Sequence, residues 1–257
     1  MSYLVLCTIA ALASCLTFFS GFGLGTLLLP AFALYFPIEH AVAMTAVVHF
    51  LNGLFKLWLV GLQADRRIVI RFGVPAILAA LVGALVLSWL ADVQPLASYT
   101  IGAREFQVTL VKLVTGALLV GFAVIEIVPR LRELSFGPEY LTLGGLLSGF
   151  FGGLSGLQGA LRSAFLIRAG LSKDEFVATG VVIGCLIDFT RLGVYTRSLL
   201  ATRAELDYLL LVAAVASAFA GAVVGNRFLK KLTLQSVQRI VAAMLLLVGI
   251  GLMAGLI

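Results

Sequence analysis

The chain has 257 residues, of which 61% are hydrophobic and only 12% charged, and its mean hydropathy is +1.13. Soluble domains carry about twice that share of charge and could not hide so much apolar surface, which excludes a water-soluble globular protein. The net charge of +6 does not mark a nucleic-acid binder, because the basic residues sit in short loops between apolar spans, where a bilayer protein carries its topology signal.

Tyr3 to Phe19 is the first apolar segment, ended by the cluster Gly21, Gly23 and Gly25. It lacks a basic leader region and reads as a first span rather than a cleaved signal. Gly23 to Phe36 is a short segment bent at Pro30, too short to cross a bilayer upright. Pro37 marks a turn, and Glu39 and His40 stand where the next helix begins. Ala41 to Val60 is long enough to span. A charged loop at Asp65-Arg66-Arg67 leads to the fourth segment, Val69 to Leu90. Ala91 to Glu105 is the longest polar connection, and Phe106 to Val128 is the fifth segment.

Pro129 to Pro138 links two halves, and the plan then repeats: Tyr140 to Phe151, Gly156 to Ile167, Lys173 to Tyr195, Leu206 to Leu229 and Val237 to Ile257. The two glycine breaks start at Ser20 and Ser148, 128 residues apart. Internal duplication of this kind is a common signature of secondary transporters. The expected fold is an all-α polytopic membrane protein. It has two inverted repeats, residues 1–128 and 139–257, joined by a cytoplasmic linker at 129–138. Each repeat has about five helical segments, with short glycine-broken helices at the centre. Cys7 and Cys15 lie about 12 Å apart along one helix, too far to bridge, and Cys185 is mid-span, so the cysteines read as apolar filling.

Charge orients the segments. If all five in each half cross, the loops at 61–71, 129–138, 168–173 and 227–239 share a side and hold eleven Lys and Arg residues. The opposite side keeps only Arg104, Arg197 and Arg203 in its loops. Re-entrant short segments would divide the same residues almost evenly. The positive-inside rule favours full crossing, which makes the repeats inverted and puts both termini outside the cytoplasm of a cell (inner) membrane.

Thr45, His49, Asn52 and Lys56 fall on one stripe of a helix, and Gly184, Asp188, Arg191 and Tyr195 repeat that spacing in the second half. Ser155, Gly159 and Arg162 share a face between the stripes. Charge inside a membrane is costly and marks sites, and three cations with a single acid favour an anion. The helix starts expected after Gly21, Gly23 and Gly25, and after Gly152, Gly153 and Gly156, would aim free N–H groups at it. Each residue also has a structural reading. Lys56 lies near a loop and has the option of snorkelling. Asp188 and Arg191, at i and i+3, could simply neutralise each other, and His49 could be a packing histidine. Glu126 and Lys112, near span ends, are expected at the interface. The glycines could be close-packing contacts.

Gly153-Leu154-Ser155-Gly156 matches the GxSG pattern of rhomboid intramembrane proteases, but both histidines, His40 and His49, lie in the other half, and the match is only four residues long. No HExxH, P-loop or metal-spaced Cys/His cluster is present, so no metal or cofactor is expected.

The chain resembles the sulfite exporter TauE/SafE family of membrane permeases. The likeness rests on the run from Ser20 to Pro30 (SGFGLGTLLLP), followed by Ala41 to Thr45 (AVAMT) and Asn52. It continues with the run from Gly149 to Gly156 (GFFGGLSG), followed by Val177 to Gly180 (VATG). It extends over essentially the whole chain. Two departures are that the second half lacks the proline common after its glycines, and that Gln158 to Arg162 (QGALR) replaces a more glycine-rich run. The resemblance implies outward transport of small sulfur-containing or organic anions such as sulfite or sulfonates, without enzymatic activity. Alternating access would place Arg162 and Arg191 on the oxyanion and add Gln158, Ser155, Asn52 and Lys56. Asp188 or His49 would couple protons. A passive anion channel, an intramembrane protease and a non-transporting membrane partner are the other readings. The expected partners are a small anion and the lipid bilayer, not nucleic acid, and lipid-facing Phe and Leu leave room for a homodimer seam.

Overall fold

The computed structural model describes residues 2–16, 24–60, 63–201, 207–228 and 235–257. Gly21 and Gly23 of the first glycine break, and Arg203, Lys230 and Lys231, lie outside the described residues. The described residues form eleven α-helices and one β-hairpin, an all-α polytopic membrane protein. The helices are α1 (Ser2–Leu16), α2 (Leu24–Ala33), α3 (Ile38–Val60), α4 (Arg66–Ala91), α5 (Leu110–Ile127), α6 (Pro129–Arg132), α7 (Leu141–Ser155), α8 (Gly159–Leu166), α9 (Lys173–Ala201), α10 (Tyr208–Phe228) and α11 (Gln235–Met253). Of these, α3, α4, α5, α9 and α10 are long and apolar enough to cross a bilayer. The ten residues of α2 and eight of α8 reach only about 15 and 12 Å, well short of the hydrocarbon core. Both are central: every residue of α2 is buried, as are Gly159, Arg162, Phe165 and Leu166 of α8.

Local sequence sets the helix ends. Asp65 accepts the Ile68 N–H at 2.8 Å and starts α4, and Thr109 does the same for Lys112 at the start of α5. At α9, Ser172 and Glu175 satisfy each other's backbone N–H groups, a capping box three residues wide. Gly156 ends α7 in the left-handed region, φ +78°, which a side chain resists.

The helices pair across the halves. The first helix of each half packs on the fourth of the other, α1 on α10 and α7 on α4, while α3 packs on α9 and α5 on α11. Exchanging the halves leaves this pattern unchanged. The α4–α7 seam is made of backbone: a Cβ on Gly145, Gly149 or Gly153 would collide with the carbonyls of Phe72, Ala76 or Ala80. Small residues permit that approach, and close packing is what holds membrane helices together.

Four features differ from the sequence reading. The connection at Ala91 to Glu105 contains a strand, β1 (Ala97–Ile101), paired antiparallel with β2 (Arg104–Val108) around a two-residue turn with Gly102 at φ +63°. The fifth helix therefore starts at Leu110 instead of Phe106. Tyr99 stacks on Phe106 and bonds the Ala254 carbonyl, which seats the hairpin against the end of α11. Gly152 and Gly153 lie inside α7, whose helix continues to Ser155 because Gly153 is a packing contact with α4. Glu126 is buried, not interfacial, since α5 ends against the linker. Lys112 does reach outward, its ammonium donating to the Gln107 carbonyl at 3.1 Å.

Candidate functional site

The α3–α9 seam is polar where the α4–α7 seam is not. The two helices run in opposite directions: His49 lies against Gly184 and Asp188, whereas Gly53, one turn later, lies against Val181 and Cys185. Both stripes read from the sequence therefore face each other. His49 Nδ1 bonds Asp188 Oδ2, and Asp188 Oδ1 accepts from Arg191 Nε at 2.9 Å and from Gln158 Nε2 at 3.2 Å. Gln158 Oε1 in turn accepts from Arg162 Nη1 at 3.1 Å. Asp188, Arg191 and Gln158 are fully buried, and a carboxylate in such a place needs these donors to remain charged.

Beyond this network lies a cavity of about 50 Å³. It is lined by Lys56, Asn52 and His49 from α3, Arg162 and Ser163 from α8, and a wall of α9 that includes Gly180, Gly184 and Cys185. Among the described residues, its lining holds two cations and no carboxylate. A cavity this size accommodates about three or four water-sized groups, the scale of a small oxyanion. Lys56 is 7% exposed and faces Arg162 and the cavity, not the lipid interface. Arg162 is held by one hydrogen bond to Gln158, so four of its five N–H donors are not taken by that contact. Asn52 is fixed from outside the cavity, by the Ser14 hydroxyl of α1 at 3.0 Å.

The remaining residues named from the sequence fall elsewhere. The Ser155 hydroxyl donates to the Phe151 carbonyl of its own helix at 3.0 Å and is not among the cavity-lining residues. With His49 bonded to Asp188, serine and histidine are engaged with different partners. Arg191 lies on the far side of Asp188 from the cavity, beside Gly156, and Tyr195 beyond it bonds the Gly153 carbonyl. Gly25 touches Gly156: a Cβ there would stand 3.0 Å from the Gly156 carbonyl oxygen.

Gly180 and Gly184 have a role the sequence reading missed. A Cβ at Gly184 would stand 2.9 Å from Arg162 Nη1, and one at Gly180 would stand 3.5 Å from its Nε. The two glycines form the slot in which the guanidinium lies. Their i, i+4 spacing was visible, but the same spacing marks an ordinary helix–helix contact.

A second, larger groove of about 590 Å³ opens between α5, the linker and α8. Its lining is mainly apolar and carries Glu126 and Glu133, the wrong sign for an anion.

Comparison with known proteins agrees with the resemblance read from the motifs. The family description "Sulfite exporter TauE/SafE" matches residues 6–252. No curated protein and no solved structure matches the chain. With nearly the full length matched, the chain belongs to the sulfite exporter TauE/SafE family of multi-pass membrane proteins.

Proposed function

We propose that this chain exports a small sulfur-containing or organic anion, sulfite or a compact sulfonate, by alternating access at the Lys56–Arg162 cavity. One observation carries the reading: two buried cations line a small cavity with no acid among the described lining residues. Arg162 grips the oxyanion with its planar fork, Lys56 adds a point charge, and Asn52 orients a neutral oxygen. Gln158 positions Arg162 and is itself held by Asp188. The cavity's size favours sulfite over longer sulfonates.

Two inverted repeats, 1–128 and 139–257 about the 129–138 linker, supply the rocking units. Support comes from the pairing that survives exchange of the halves and from the antiparallel run of α3 and α9, which are counterparts. The cavity lies toward the loops after α3 and α8, the basic side by sequence, which we assign to the cytoplasm. In this reading the protein sits in the inner membrane, with the cavity on the cytoplasmic side and both termini outside. His49 is the proton-coupling group in this scheme. It faces Asp188 from α9, Arg162 from α8 and Lys56 on its own helix.

Uptake of labelled sulfite and a small sulfonate into proteoliposomes, with and without an imposed pH gradient, tests this. The expected result is gradient-driven accumulation that falls about 10- to 100-fold in Arg162→Gln, the value of a lost charge-assisted bond, with melting unchanged. Flux indifferent to the gradient and never beyond equilibration would establish a passive channel instead. Wild-type flux in Arg162→Gln would remove the site, and a protein that carries neither anion would remove the substrate class.

A further inference from the structure

The short helix α8 separates two hollows. Arg162 and Leu166 line the anion cavity, Leu161 and Ala164 line the larger groove behind it, and Ser163 touches both. The groove's other walls are the end of α5 and the linker. Its volume of about 590 Å³ is that of a site for a drug-sized molecule. The linker wall is fastened to α8. The Phe136 N–H donates to the Ala164 carbonyl at 3.0 Å, and the Phe136 ring stacks on Phe165 at 4.4 Å. Two left-handed glycines flank α8, Gly156 at φ +78° and Gly170 at φ +77°. Whatever fills the groove therefore supports the back of the helix that carries Arg162.

Three features describe the occupant. The lining is mainly apolar, and Leu131, Leu134 and Ile167 carry that surface to the outside of the molecule. A hydrocarbon chain that enters there gains dispersion contacts along its whole length. The charge of the groove is acidic. Glu126 is 5% exposed, Glu133 stands exposed on the linker, and the described lining residues include no Lys or Arg. Such a lining repels an anionic head group and attracts an ammonium. The place, finally, is the end of a span: α5 stops at Ile127 and the linker helix α6 begins at Pro129, at the level where lipid head groups meet the hydrocarbon.

We propose that this groove is a lipid site, which takes one acyl chain of an aminophospholipid with its ammonium group on the Glu133 side, and which braces α8 when filled. The site is separate from the anion cavity and does not rest on the transport reading. Arg130 and Arg132 of the same linker would by themselves draw an anionic lipid, so a preference for ammonium is specific to the groove.

The purified full-length protein is offered equal amounts of phosphatidylethanolamine and phosphatidylglycerol, and bound lipid is weighed by native mass spectrometry. The wild type is expected to retain about threefold more phosphatidylethanolamine, the value of one exposed ion pair. Glu133→Lys, an exposed substitution that leaves the core alone, is expected to reverse the preference. Ala164→Phe fills the groove and is expected to abolish it. In nanodiscs of either lipid, hydrogen exchange over 159–166 is compared with that of α10, which does not line the groove. Exchange of α8 is expected to slow about threefold or more in phosphatidylethanolamine. Equal retention of the two lipids by the wild type overturns the proposal, as does a Glu133→Lys protein that still prefers phosphatidylethanolamine. An undiminished preference in Ala164→Phe would put the lipid elsewhere and overturn it equally. Retention of phosphatidylethanolamine with unchanged exchange over 159–166 would mean surface lipid only, and the site would be wrong.

Discussion

The seams α4–α7 and α3–α9 are both buried and both rich in glycine, yet the glycines do opposite things. Along α4–α7, Gly145, Gly149 and Gly153 bring backbone against backbone, and the space a Cβ would need is filled by the Phe72, Ala76 and Ala80 carbonyls. Along α3–α9, Gly180 and Gly184 face the end of a long flexible side chain, Arg162. The first set glues two helices, and the second keeps a slot for a charge. What decides a glycine's role is the stiffness of what it faces: a helix backbone cannot yield, whereas a guanidinium can swing aside and lose its aim.

Adding one methyl at each place should separate the two roles. Gly149→Ala pushes Cβ into the backbone of Ala76, and the expected loss is on the order of 1–3 kcal/mol even after the helix-propensity gain, seen as a lower melting temperature in detergent. Unchanged melting would mean that α4 and α7 slide apart freely, and the seam would not be the rigid one. Gly184→Ala should leave melting unchanged or slightly raised but displace Arg162, with sulfite affinity falling roughly three- to tenfold. If this variant loses stability and keeps affinity, the contrast between the seams is false. Gly180→Ala sharpens the point, since its Cβ would sit at ordinary contact distance from Arg162 Nε. Sulfite affinity within about twofold of wild type is expected.

The smallest effect belongs to a contact remote from both seams. The Tyr3 hydroxyl reaches the Asp207 carboxylate at 2.5–2.6 Å and holds that half-buried carboxyl below its ordinary range, helped by the Leu210 N–H. A depressed folded-state value means that the stabilisation is present above the unfolded pKa and is lost as pH falls through the folded one. Tyr3→Phe should therefore melt slightly below wild type at neutral pH, and the difference should close in acid. A difference that persists in acid would assign the effect to packing.

Much of the fold was legible because a bilayer demands long apolar runs, and α3, α4, α5, α9 and α10 announce themselves that way. The short segments were legible from their glycines and length. The hairpin at 97–108 was not: its apolar alternation is only five residues deep per strand, and Tyr99 and Phe106 gain meaning only once the end of α11 is beside them. The stripe of Thr45, His49, Asn52 and Lys56 could be read from helical spacing alone. That Lys56 turns into a cavity with Arg162, while Arg191 lies beyond Asp188, could not, because spacing on one helix says nothing of the helix opposite.

The sequence by itself determined the solvent, the all-α membrane architecture and the cationic character of the centre, since these follow from local composition and periodicity. Only the tertiary structure decided which glycines pack and which make room, that Ser155 serves its own helix, and that His49 meets Asp188 across the α3–α9 seam. Those outcomes depend on contacts between residues more than a hundred positions apart in the chain, such as His49 with Asp188.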